Sequence, residues 1–102
     1  MPDRYPSPRF PLGQLLITPG ALEVLQLAGE APIAFLRRHA HGDWSEMCTE
    51  DRQTNAQAIA HEHDAARRTR VFSAYRTCRG DRLWVITEAD RSATTILLPS
   101  EY

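Results

Sequence analysis

Four histidines fall in two pairs, His39-Ala40-His41 and His61-Glu62-His63. Imidazole is the side chain best suited to exchanging a proton near neutral pH. Residues at i and i+2 diverge on a helix, however, and both pairs stand in helical sequence, so neither pair chelates a metal by itself. The i, i+4 spacing of His-Glu-x-x-His is missing, and no metal site is expected. Asp43 and Trp44 follow the first pair: Asp43 can cap a turn or orient His39, and Trp44 can cover the core edge or offer a flat face to a ligand. Burial is the commoner fate of tryptophan, because burial is where its area contributes most. Further on, Thr87, Glu88, Asp90, Arg91 and Thr94 gather around what reads as a hairpin loop, a common place for a site. A metal-independent RNase needs a base, an acid and a cation for phosphorane charge, and His39, Glu88 and Arg91 supply those types. The plainer reading has Asp90 and Ser92 closing side-chain turns and Arg91 pairing with an acid.

All twelve basic residues are arginine. A compositional bias explains that better than any single site does, although guanidinium suits phosphate and carboxylate forks. Their distribution says more than their number. Arg67, Arg68, Arg70, Arg76, Arg79 and Arg82 stand within sixteen positions against Asp81 alone. Such a stripe can attract a polyanion, while a solvated face is the commoner outcome.

The elements that must position these residues follow from pattern. Residues 1–11 carry four of the seven prolines and read as an extended lead-in. A short strand or extended segment over 12–17 leads to Thr18-Pro19-Gly20-Ala21, a capped helix start with proline at the first helical position. That helix ends at Gly29 and is expected to bury Leu22, Leu25 and Val24 or Ala28. A second helix begins near Pro32 and stops before Gly42, making a helical hairpin with the first. Thr49 reads as the cap of a third helix over 50–66, with a thin apolar face of Ala56, Ile59 and Ala60, making it the most exposed of the three. After Arg67 the period changes from about 3.6 to 2. Strands are expected over 70–77, 82–88 and 93–98, with the turn at Gly80 and Val71, Tyr75, Leu83, Val85, Ile96 and Leu98 facing inward. The expected fold is therefore α+β: an N-terminal helical hairpin and a third helix on a three-stranded antiparallel meander, forming a single domain over 12–102.

At 102 residues, 42% hydrophobic and with a formal net charge of −1, the chain suits one modest core. Its apolar runs fall far short of the ~20 residues a membrane helix needs, and residues 1–6 show no apolar signal region. Cys48 and Cys78 lack paired spacing and read as reduced thiols in a cytoplasmic protein. No Gly-x-Ser-x-Gly, Walker or Gly-x-Gly-x-x-Gly motif occurs, so no cofactor is expected.

From about Phe10 onward the chain resembles a family of small uncharacterised proteins carried on bacterial plasmids and integrative conjugative elements. The motifs that carry the resemblance are Phe10-Pro11-Leu12-Gly13-Gln14, Thr18-Pro19-Gly20-Ala21, Arg38-His39 with Gly42-Asp43-Trp44, and Glu50-Asp51 with Asn55. Further on they are Ser73-Ala74-Tyr75, Trp84-Val85-Ile86-Thr87-Glu88, Asp90-Arg91-Ser92, and Thr94-Thr95 leading to Leu98-Pro99-Ser100-Glu101-Tyr102. Ser45 stands where that pattern has glycine. The resemblance implies a genomic setting and a shared fold, and brings no activity, cofactor or partner. The favoured expectation is a small accessory protein that binds a protein partner, with Asp43, Trp44, Thr87, Asp90, Arg91 and Thr94 as binding residues. The alternatives are an RNase-like toxin of the barnase or RelE type, and a nucleic-acid-binding regulator using the arginine stripe.

Overall fold

The computed structural model describes residues 8–64 and 68–102. The elements in chain order are β1 (Gln14–Ile17), α1 (Pro19–Ala28), α2 (Pro32–Ala40), α3 (Thr49–Ala60), β2 (Val71–Arg76), β3 (Arg82–Thr87) and β4 (Ala93–Leu97), followed by a short 3-10 turn, Pro99–Glu101. The class is α+β, as the change of period around residue 67 implies. Among the described residues no helix is long and apolar enough to cross a membrane.

The sheet has four strands rather than three, in the order β1-β4-β3-β2. The expected meander is present, with β2 antiparallel to β3 and β3 to β4. The addition is β1, which runs parallel to β4, with Gln14 opposite Ala93 and Ile17 opposite Ile96. Periodicity alone cannot assign such a partner, because the two strands lie about eighty positions apart. Gly13 makes the approach possible: its φ is +66°, and a Cβ there would stand 2.4 Å from the carbonyl oxygens of Arg91 and Ser92.

The inner sheet face carries Tyr75, Leu83, Val85 and Ile96, which pack on Ala21 and Leu25 of α1 and on Phe35 and Leu36 of α2. Each large buried side chain contributes about 1.5–3 kcal/mol relative to exposure. The buried stripe of α1 is Ala21 and Leu25, not Leu22, which is 39% exposed. Thr18 caps α1 as expected, accepting from the Ala21 amide, and Gly29 closes it in the left-handed conformation. Val71, on the same face, joins a second cluster with Phe10, Trp44, Met47 and Ala58.

The third helix corrects three expectations. It begins one residue earlier, with Cys48 rather than Thr49 at the N-cap, and it ends at Ala60; the rest of its expected span reaches into 65–67, outside the described residues. It buries Asn55 and Ala58, while Ala56 and Ala60 are exposed. A polar residue on the buried face hides the amphipathic signal. Of the lead-in, residues 1–7 lie outside the described part, and Phe10 is buried rather than trailing in solvent. Cys48 and Cys78 are both exposed free thiols.

Candidate functional site

Three regions answer to the residues singled out above: a buried polar chain around His39, the Arg91 corner, and the outward sheet surfaces.

His39 sits in the last turn of α2 with no solvent exposure. Its Nδ1 lies 2.5 Å from Ser73 Oγ on β2, and its Nε2 lies 2.8 Å from Thr87 Oγ1 on β3. The hydrogens can be placed by working inward from the two ends. Thr94 Oγ1 donates to the Leu12 carbonyl at 2.7 Å, so the 2.6 Å contact between Thr87 and Thr94 takes its proton from Thr87. Thr87 must then accept from His39 Nε2–H. Nδ1 is left as the acceptor for the Ser73 hydroxyl, whose oxygen in turn accepts from Trp44 Nε1–H at 3.0 Å. The result is one directional chain: Trp44, Ser73, His39, Thr87, Thr94, Leu12. A proton added at Nδ1 would break it. Burial, reinforced by the positive charge of Arg91, pushes the His39 pKa down to about 3. In this arrangement the imidazole is a neutral cross-brace with both nitrogens occupied.

Arg91 is a buried cation next to this chain. It adopts a φ of +63° and donates through Nε to Glu62 Oε1 at 2.8 Å. Its Nη1 donates to the carbonyls of Thr69 and Glu88 at 2.6 and 3.0 Å. The guanidinium also covers the Phe10 ring, which in turn meets His39 edge-on with centroids 5.2 Å apart. Glu62 thereby ties the turn after α3 to the loop before β4.

The residues expected to converge do so only in part. Trp44, Thr87 and Thr94 join His39, but in the interior and not in a cleft. Ser73 belongs to the same chain; its place in an alternating strand and in the Ser73-Ala74-Tyr75 motif were the available signals. Glu88 is exposed and reaches Arg91 through its backbone carbonyl alone, so base, acid and cation do not face a common opening. Asp43 turns the other way. Partial burial opposes its charge, yet the Arg38 guanidinium at 2.7 Å and Ser45 hold its carboxyl below the usual range. Asp90 is exposed and accepts from the Ser92 amide, forming the side-chain turn expected of it; Ser92 keeps its carboxyl low. Among the described residues no three His, Cys, Asp or Glu side chains group as a metal site.

The arginine stripe divides. Arg67 lies outside the described residues. Arg68 borders a hollow beside Phe10 and Glu62, and Arg79 donates to the Leu27 carbonyl. Arg70, Arg76 and Arg82 share the outer sheet face with Phe72 and Trp84, by the alternation of β2 and β3.

The extended segment over 12–17 was expected, but not the open apolar edge that β1 makes. Gln14 and Thr18 direct their amides at β4, donating to the Ser92 and Ile96 carbonyls. Alternation therefore turns the backbone groups of Leu15 and Ile17 outward along the sheet edge. Leu15 is 51% exposed, Leu16 44%, and Ile33 of α2 49%. A groove of about 380 Å³ runs there, lined by Leu15, Ile17, Pro32, Ile33, Leu36 and Ile96, without a charged side chain. The unalternated run Leu15-Leu16-Ile17 was the signal, since such a strand cannot bury every side chain from one face.

Comparison of the chain with protein-family models, with curated proteins and with solved structures finds no match.

Proposed function

We propose that this protein is a small accessory module that works by binding another protein, which lays an extended apolar segment along β1 as a fifth strand. The observation that carries the reading is the uncharged, open edge at Leu15 and Ile17 beside the groove under Ile33. Main-chain hydrogen bonds to the edge supply affinity, and alternate side chains of the incoming strand enter the groove and supply selectivity. An apolar patch at an open edge is a hazard unless it has an occupant. The absence of charge in the groove selects an apolar strand over an acidic or basic one. The setting that fits is the bacterial cytoplasm, among the mobile-element proteins whose motifs this chain resembles.

A displayed library of random eight-residue peptides tests the reading. Enrichment of alternating apolar sequences is expected, with binding lost in Leu15→Lys and Ile33→Glu and slowed amide exchange at Leu15 and Ile17. Failure to enrich such sequences, or binding indifferent to both substitutions, overturns it. A stable dimer in light scattering that Leu15→Lys dissolves would make the occupant a second copy and overturn the hetero-partner reading.

A further inference from the structure

The helices α1 and α2 cover the inner face of the sheet; on the outer face α3 and Tyr102 border Phe72 and Trp84, and Arg76 and Arg82 lie beside them at the β2–β3 end. On this outer face Trp84 forms a wall common to two hollows, of about 240 and 350 Å³. Arg76 and Arg82 line the first, and Arg70, Phe72 and Tyr102 the second. Trp84 meets Phe72 and Tyr102 edge-to-face, with centroids 5.1 and 5.6 Å away. Its cross-strand neighbour on β2 is Ala74, too small to cover it.

Arg76 and Arg82 stand directly opposite each other in the antiparallel pair. Like charges so placed oppose pairing, and among the described residues neither has a carboxylate bound to it. Glu46 borders the same hollow, but it is held by Arg38 at 2.8 Å. Asp51 borders the second, opposite Arg70, which donates to the Tyr102 hydroxyl at 2.6 Å. The face therefore presents an excess of guanidinium beside half-buried aromatic rings. An anion bridging Arg76 and Arg82 would relieve their opposition, and a flat ring would find Trp84 between the cations.

We infer that this outer face, centred on Trp84 with Arg76 and Arg82, is a binding site for single-stranded nucleic acid. Phosphates lie on the paired guanidiniums and a base stacks on Trp84. A duplex does not fit, because its bases are enclosed and cannot reach the ring. The site is on a different surface from the β1 groove, so one can fail without the other.

Fluorescence anisotropy with labelled twelve-residue oligo(dT) and oligo(rU) tests this, with a duplex of equal length, polyglutamate and inorganic polyphosphate as competitors. Binding to one or both single strands is expected, the pair showing whether the sugar matters. It should weaken with salt, and Arg76→Ala and Arg82→Ala should each flatten the salt slope by about 0.7. Trp84→Ala should weaken binding about 5- to 150-fold. Trp84→Phe should retain most affinity while abolishing the quenching of tryptophan emission, which separates loss of stacking from loss of fold. Absence of binding at low salt overturns the inference. So does binding indifferent to Arg76, Arg82 and Trp84, or equal competition by duplex, polyglutamate or polyphosphate.

Discussion

The two outer strands of the sheet meet solvent in opposite ways. Along β2, Asn55 of α3 stands in for a neighbouring strand: its Nδ2 donates to the Phe72 carbonyl, and its Oδ1 accepts from the Phe72 amide at 3.0 Å. One side chain pairs both backbone groups, as a strand residue would. Along β1 no described residue does the same, and the backbone groups of Leu15 and Ile17 face outward beside an apolar groove. The same sheet thus seals one edge with a buried amide and leaves the other open. The difference locates stability on the β2 flank and availability on the β1 flank. Substitutions should divide accordingly, with large losses of stability and no specific loss of binding on one side, and the reverse on the other.

The largest effect belongs to the ion pair that fastens the sealed flank. Glu62→Gln leaves the Arg91 guanidinium buried without its counter-charge, and breaking such a pair costs about 3–5 kcal/mol. Urea denaturation should report it as a lowered midpoint. An unchanged midpoint would show that the corner joining the turn after α3 to the β4 loop is not what holds this flank.

Acid should act next, through His39. Its native pKa of about 3 lies below the 6.5 of the unfolded chain, so between those values the unfolded state binds a proton that the native state excludes. Stability from this group is therefore whole above pH 6.5 and falls as the pH is lowered toward 3. Over pH 6.5 to 4.5 the loss from this group should be about 2–3 kcal/mol. His39→Asn should be less stable at neutral pH and should lack that slope. A wild-type stability flat across the window would mean that the imidazole gains its proton within the fold, contrary to the hydrogen-bond order that runs from Trp44 to Leu12.

The residues that were legible in the sequence are those whose role depends on near neighbours. Thr18 capping α1, the turns at Gly42 and Gly80, the alternation of β2 and β3 and the inward face of the meander all follow from local pattern. The pairing of β1 with β4 did not, because a parallel partner some eighty residues away leaves no mark on either strand. Asn55 was noticed only within the family resemblance, and its function needs the β2 edge to be in place. His39, Glu88 and Arg91 had the residue types of a catalytic set, but sequence carries no information about depth. The fold puts the first inside, the second outside and the third on Glu62. Arg76 and Arg82 could be seen as part of a charged stripe. That they oppose each other across a strand pair follows only from the register.

Asn55→Ala tests the sealed edge itself. It leaves the Phe72 amide and carbonyl without their partner, at a cost of about 2 kcal/mol, and creates a second open edge. The added expectation is concentration-dependent aggregation, read by light scattering at a pH where the wild-type chain stays monodisperse. A variant that loses stability but stays monodisperse would show that α3 shields the edge by bulk rather than by its amide.

The smallest effect on stability should come from Leu15→Lys, and its smallness is informative. Leu15 is half exposed on a strand whose outward backbone groups face solvent, so replacing it removes little buried surface. A change within about 0.5 kcal/mol is expected, as for surface positions away from a packed feature. Lysine is also a residue that blunts open edges, so solubility should rise while the proposed strand partner is lost. A protein merely tolerating an exposed leucine would gain solubility and lose nothing. If instead Leu15→Lys unfolds the chain, β1 is an integral support of the core, and the contrast between the two edges would be one of degree rather than of role.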